Sequence, residues 1–172
     1  MVRKTILLLA STVVLMADDM TLDTTKSEVF YEAKKDQFFS TYTVLGINKM
    51  LTGSLQRLPN GYRGELTVHA RAFVTDSTRR DSSVKEYLHT DTYRLMTYRY
   101  ELHNGKASGT MRINGVRKEL TFPVHMSEVG NQLSVEGNIT VKYSDFNIET
   151  PSNLVLSAHD DLVIGAKLYF DK

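Results

Sequence analysis

Three Asn-Gly dipeptides, at 60–61, 104–105 and 114–115, separate segments in which apolar and polar residues alternate. Asn-Gly between alternating segments is a strong signal for a β-hairpin, because both residues tolerate the positive φ angles of a type I′ turn. The clearest alternation spans 132–142, where every second residue is apolar or glycine. Many short strands joined by tight turns predict an antiparallel β-sandwich or β-barrel.

One stretch, from Gly64 to His89, departs from this pattern. It begins as a strand that alternates up to Val74, and the period then changes. Ser83 and Glu86 have capping-box spacing, and apolar residues follow at i, i+3 and i+4. The sequence therefore predicts a long strand, a charged turn and a short helix over about 81–89. Further on, residues 154–158 and 162–170 are predicted to form the last hairpin.

The N-terminus has the features of a signal peptide. Arg3 and Lys4 precede a 12-residue apolar run, which is too short to cross the ~30 Å hydrocarbon core of a bilayer. We expect cleavage after Ala17 and export, although an uncleaved anchor or an N-terminal core strand would also fit this composition. Residues 18–28 are polar and predict a loose lead-in, and 29–172 predict a single domain.

Composition excludes some functions. The chain has 172 residues, 21 basic and 20 acidic residues and no cysteine, so it has a formal charge of +1. A charge so close to zero gives no reason to expect nucleic acid as a partner. Thiol chemistry is excluded, and the mature chain has no apolar run long enough for a stable membrane span.

The sequence contains no recognisable catalytic or metal-binding motif. Its five histidines lack the H-x-x-x-H or H-x-H spacing of metal ligands, and P-loop, G-x-S-x-G and G-x-G-x-x-G motifs are absent. The acidic pair Asp160-Asp161 is interpreted as turn residues, since neighbours in a strand point to opposite faces. We therefore predict no enzyme, no cofactor and no metal site.

The apolar faces of the predicted strands raise a different possibility. A small barrel either fills its interior with side chains or keeps a cavity for a ligand. Small residues on inward faces would leave room, and larger neighbours would form an apolar wall. The alternative is that Phe, Tyr and Met side chains fill the space. The predicted lining residues are Leu66, Val68, Ala70, Ala72, Leu133, Val135, Gly137, Ile139, Leu154, Ile164, Ala166 and Leu168.

A charged cluster, Arg79-Arg80-Asp81, precedes the predicted helix. It has two interpretations. It is either a solvated turn, in which Asp81 favours the helix N-terminus through the dipole, or a polar mouth that contacts the head group of a ligand.

Four motifs in order resemble the YceI-like family of bacterial periplasmic proteins. The family's strand, turn and helix match at Phe73, Thr75, Arg80, Asp81 and Tyr93. Later matches are the hairpin at 113–118, the strand at 137–141 and the Asp-Phe-Asn-Ile turn at 145–148. The sequence departs from the family pattern at Ala72, Ser77, Arg94, Arg117 and Asn147, where the family has Ser, Asn, Pro, Thr and Gly.

This resemblance implies both fold and function. It implies an eight-stranded, lipocalin-like antiparallel barrel with a short helical segment, located in the periplasm and in some members dimeric. It also implies an elongated tunnel that holds a polyisoprenoid or another long-chain amphiphile. We therefore expect a carrier for a long-chain lipid or isoprenoid, such as a quinone or a fatty-acid derivative. The alternatives are a stress-related interaction protein without a ligand and an enzyme that modifies such a lipid.

Overall fold

The computed structural model describes residues 19–37, 40–149 and 156–172. These ranges contain ten strand segments and one α-helix, α1, over Thr78–Tyr87, with 3-10 turns at Ala70–Ala72 and Ser144–Phe146. The strands are β1 (Asp19–Leu22), β2 (Glu28–Gln37), β3 (Ser40–Asn48), β4 (Leu51–Leu58), β5 (Gly61–His69), β6 (Leu95–His103), β7 (Lys106–Ile113), β8 (Val116–Val129), β9 (Gln132–Lys142) and β10 (Leu156–Asp171).

The strand segments form a closed barrel. β1 and β2 pair antiparallel with β10 and follow each other along it, so they act as one bent strand. β3 pairs with β2 and β4 pairs with β1, so these two also act as one. The six strands from β5 to β10 follow as antiparallel neighbours, and β10 closes the ring. The predicted eight-stranded antiparallel barrel is confirmed.

The Asn-Gly turns form as predicted at two of the three positions. Asn104 and Asn114 have φ of 51° and 49°, and the glycines that follow them have φ of 69° and 78°. Both pairs therefore have the two positive φ angles of a type I′ turn. At the first dipeptide, Leu58 pairs with Gly61, so the two loop residues are Pro59 and Asn60 rather than Asn60 and Gly61.

The helix begins earlier than predicted. It starts at Thr78 instead of about residue 81, because the Asp81 carboxylate accepts hydrogen bonds from the Thr75 N–H and hydroxyl, both at 2.7 Å. This contact ties the preceding turn to the first helical turn. The predicted capping box is not used, since the Ser83 hydroxyl donates to the carbonyl of Arg79 within the helix, at 3.3 Å.

Strand β5 ends at His69 rather than continuing to Val74. The 3-10 turn at Ala70–Ala72 breaks the period-2 alternation, so the side-chain directions after it no longer follow the strand pattern. As a result Phe73, placed by simple alternation on the polar face, is buried.

The predicted last hairpin is a single strand. β10 runs without a turn from Leu156 to Asp171, and a register shift between Ala158 and Leu162 accommodates the three polar residues 159–161 as a bulge. A bulge lets an irregular polar triplet remain in a strand, whereas the sequence pattern alone suggested a turn.

Residues 18–28 also differ from the prediction of a loose lead-in. From Asp19 onward they form β1 and a structured turn, with Met20 and Leu22 buried. The Asp23 carbonyl accepts from the Ser27 N–H at 3.0 Å, and the buried Ser27 hydroxyl accepts from the N–H of Tyr169 at 2.9 Å. The predicted signal peptide at 1–17 lies outside the described residues.

Candidate ligand-binding cavity

The barrel is packed at one end and hollow above it. Met20, Leu55, Leu102 and Phe170 are at most 2% exposed and fill the end opposite α1. Above them lies a cavity of about 190 Å³. An apolar cavity of about 150 Å³ in a protein core stays dry and binds benzene, so this space is large enough for an apolar group.

Aromatic rings form one wall of the cavity. Tyr98 stacks on Tyr100 with ring centroids 5.0 Å apart, and on Phe122 with centroids 5.8 Å apart. All three rings line the cavity, together with Met96 and Met111 from the neighbouring strand positions. Flexible methionine side chains beside flat rings give a surface that can adapt to an apolar chain.

Helix α1 contributes one face to the cavity. Its lining residues Arg80, Ser83, Val84 and Tyr87 stand at positions i, i+3, i+4 and i+7, and Leu88 just beyond the helix continues the series. This spacing places them on one side of a helix. No residue of the helix is fully buried, although Val84, Tyr87 and the following Leu88 pack against the hydrophobic core.

Most of the predicted lining residues surround the cavity. Eight of them do so: Leu66, Val68, Val135, Gly137, Ile139, Ile164, Ala166 and Leu168. Three do not. Ala70 and Ala72 belong to the 3-10 turn after β5, and Leu133 is 3% exposed in the packed core, so none of them lines the cavity. Leu154 lies outside the described residues.

Of the predicted polar mouth, one residue borders the cavity. The Arg80 side chain lines it and pairs with the exposed carboxylate of Asp76. Arg79 is exposed and not among the lining residues, and Asp81 is occupied by its two bonds to Thr75.

Several residues that line the cavity were not predicted from the sequence. Tyr98, Tyr100 and Lys35 could have been found by extending the alternation along β6 and β2, since the inward positions there carry these residues. Phe73 could not, because the 3-10 turn before it changes the direction of the chain.

Buried tyrosine hydroxyls are the main polar atoms of the cavity wall. Those of Tyr31 and Tyr100 are buried without a hydrogen-bond partner among the described residues. Burial raises the pKa of Tyr31 to about 12 and raises those of Tyr98, Tyr100 and Tyr143 further. These phenols are therefore neutral donors at physiological pH.

Three kinds of feature are absent from the part of the chain that the structure describes. No group of three or more His, Cys, Asp or Glu side chains there could hold a metal ion. The described lining residues include no Asp, Glu or His. No described helix has the length and apolar character needed to cross a bilayer.

The sequence matches the model of the YceI-like domain over residues 20–170, which is most of the chain. The chain belongs to the YceI-like family. No curated protein matches it.

Solved structures share this fold at low sequence identity. BcnA from Burkholderia cenocepacia aligns with a TM-score of 0.72 and 19% identity, covering 86% of this chain and 98% of that one. A polyisoprenoid-binding domain from Saccharophagus degradans, implicated in plant cell wall breakdown, aligns with a TM-score of 0.69 and 15% identity. The alignment covers 88% of this chain and 97% of that one. The YCEI protein of Campylobacter jejuni aligns with a TM-score of 0.67 and 18% identity, covering 80% of this chain and 90% of that one. At these identities the likeness shows the YceI-like barrel and no more.

Proposed function

We propose that this YceI-like protein is a carrier for a long-chain apolar ligand, a polyisoprenoid, quinone or fatty-acid-like lipid, held inside the barrel. The observation that carries the proposal is the hollow interior lined almost wholly by apolar side chains. Membership of a family with a polyisoprenoid-binding structural neighbour supports the ligand class.

Burial alone can supply the affinity for such a ligand. Each CH₂ group removed from water contributes about 0.8 kcal/mol, so a chain of many carbons can bind without a catalytic or metal centre. Met96, Ile139 and Ile164 pack against the hydrophobic core, are only partly buried and line the cavity, so part of their apolar surface remains uncovered. A ligand chain would cover this surface and strengthen the hydrophobic stabilisation of the barrel.

The same lining argues against the enzyme alternative. Proton transfer or nucleophilic catalysis on a bound lipid would need a titratable group beside it. The described wall offers phenols with raised pKa values, Lys35 and Arg80, and no carboxylate or imidazole. The arrangement therefore favours binding over chemistry.

The cellular setting is part of the proposal. The signal-peptide features of residues 1–17 and the family resemblance both support a periplasmic carrier. Fractionation of cells and N-terminal sequencing of the recovered protein would test this location and the cleavage after Ala17. Light scattering of the purified protein would test the homodimer that the resemblance suggests.

A chain-length series tests ligand binding directly. The protein is stripped of lipid with organic solvent, refolded and titrated with saturated fatty acids of increasing length. We expect affinity to rise by up to about fourfold per added CH₂, until the cavity is filled, and then to level off. Affinity that does not depend on chain length, or no binding at all, would overturn the carrier proposal.

A further inference from the structure

Two cationic side chains, Lys35 and Arg80, reach an otherwise uncharged cavity. They are the charged members of the described lining residues. Lys35 comes from β2 and Arg80 from α1, so two separate elements place positive charge at the same end of the barrel. Tyr31, which carries a neutral hydroxyl, also lines the cavity.

The strand geometry explains why Lys35 faces inward. It follows Val29, Tyr31 and Ala33 at intervals of two residues, and all four line the cavity. Its neighbour Lys34 is exposed. A lysine at an inward position loses hydration, which is unfavourable unless an opposite charge or hydrogen-bond acceptor compensates it.

Compensation for Lys35 is missing among the described residues. It takes part in none of the ion pairs of the described residues, and the nearby charge that affects it, that of Arg80, is a like charge. Burial and, second, the charge of Arg80 lower the pKa of Lys35. Two cations that disfavour each other in a partly buried site are stabilised when an anion lies between them.

The acidic groups nearby are already engaged. Asp76 pairs with Arg80 but its side chain is 82% exposed, whereas that of Arg80 is 25% exposed. An ion pair whose carboxylate is in solvent neutralises a half-buried guanidinium only weakly. Asp81 accepts from Thr75, and the exposed Asp36 accepts from Thr41 and contacts His159.

Tyr31 supplies a further donor at this place. Its hydroxyl is buried with no partner among the described residues. Burial raises the pKa of Tyr31, the charge of Arg80 lowers it, and the charges of Asp81 and Asp76 raise it, so these charged groups lie near the phenol. A lysine ammonium and an arginine guanidinium offer only donors, and a phenol hydroxyl without a partner can add one more, which is the chemistry that binds an anionic oxygen.

We propose that Lys35, Arg80 and the Tyr31 hydroxyl form a binding site for the anionic head group, a carboxylate or a phosphate, of the chain held in the cavity. This inference rests on the proposed carrier function and narrows the class of lipid that the carrier binds. It favours lipids with an acidic head over neutral ones such as alcohols, esters and quinones.

The test uses ligands that share one chain and differ only in the head group. The lipid-free protein is titrated with oleate, oleyl phosphate, oleyl alcohol and methyl oleate by calorimetry. We expect the two anions to bind about ten- to hundredfold more tightly than the alcohol and the ester, as hydrogen bonds to charged groups would give. Added salt should weaken the binding of the anions more than that of the alcohol.

Adjacent residues provide matched control variants. Lys35→Met and Arg80→Met remove an inward charge and keep an apolar stem, and Lys34→Met and Arg79→Met remove an exposed charge one position away. We expect the first pair to lose most of the preference for oleate while binding oleyl alcohol as before, which also reports an intact fold. The second pair should bind like the unchanged protein.

The outcomes separate the two proposals. A preference for oleate, for oleyl phosphate or for both, lost only in the inward variants, supports the anion site and identifies which acidic group fits it better. Equal binding of anions and alcohol overturns the anion site and leaves the carrier function standing. Failure of all four ligands to bind overturns both.

Discussion

The ring of Tyr31 lies directly over Gly46, its partner across β2 and β3. A Cβ atom built on Gly46 would lie 2.1 Å from Cε1 of Tyr31, far closer than two carbon atoms can approach. The edge of Phe73 packs against the same ring, with centroids 5.3 Å apart. Gly46 therefore makes the space in which this aromatic side chain rests at the cavity wall.

Gly46→Ala should displace the Tyr31 ring. We expect a loss of about 1–3 kcal/mol in the free energy of unfolding, because an added methyl group in a packed site forces its neighbours to move. Urea denaturation measures the loss. The double variant Gly46→Ala with Tyr31→Leu should recover part of it, and equal losses with and without Tyr31 would contradict the contact.

Ala166→Leu distinguishes a hollow barrel from a filled one. Ala166 lines the cavity, so three added carbons should enter empty space and leave stability unchanged or raised, while the affinity for a long chain falls. In a filled core the same change would cost about 1–3 kcal/mol. Thr140→Leu, at an exposed position of β9, is the control and should leave ligand affinity unchanged.

Asn114 should matter more than Asn104, although both begin a type I′ turn. The Asn114 side chain is buried and donates to the carbonyls of Phe146 and Asn147 at 3.2 and 2.9 Å, whereas the Asn104 side chain is exposed. Substitution by glycine keeps the positive φ angle and removes the side chain. We expect Asn114→Gly to lose about 1–3 kcal/mol of stability and Asn104→Gly much less. Equal losses in thermal denaturation would contradict the anchoring role.

Raised tyrosine pKa values predict alkaline unfolding. Tyr31 has a pKa of about 12 in the folded protein against 10.0 for an unperturbed phenol, and burial is the main cause. A pKa raised by folding means that the neutral form stabilises the folded state. This contribution is complete below pH 10 and is lost as the pH rises through 12.

Absorbance at 295 nm during an alkaline titration would follow these phenols. Four tyrosines have raised pKa values, at positions 31, 98, 100 and 143. We expect the absorbance change from these four tyrosines to appear only at a pH above the 10.0 of an unperturbed phenol, together with the loss of β-sheet circular dichroism. Ionisation of all nine tyrosines in one step near pH 10, with the fold intact, would contradict their burial.

The barrel could be predicted because its signals are local. Alternation along β9 and the Asn-Gly turns at 104–105 and 114–115 depend on neighbouring residues alone. The predictions fail where contacts between residues distant in the sequence determine the local structure. The bulge between Ala158 and Leu162 is held in a strand by β2 and β9 on either side, which the polar triplet does not reveal.

Part of the lining of the candidate cavity could be predicted for the same reason. Residues in regular strands, such as Val135 and Ile164, line the cavity because alternation holds there. Phe73 lines the cavity in place of the predicted Ala72, because the 3-10 turn at Ala70–Ala72 interrupts the alternation of the strand. The presence of empty space depends on the sum of all inward side chains, so the pattern of one strand could not indicate it.

Native mass spectrometry tests the carrier account most directly. The protein is purified without detergent from the cells that make it and is measured before and after organic extraction. For a carrier we expect a discrete added mass that extraction removes, with a chain long enough to fill the cavity and an acidic head group. A bare protein mass under every mild ionisation condition would contradict the account.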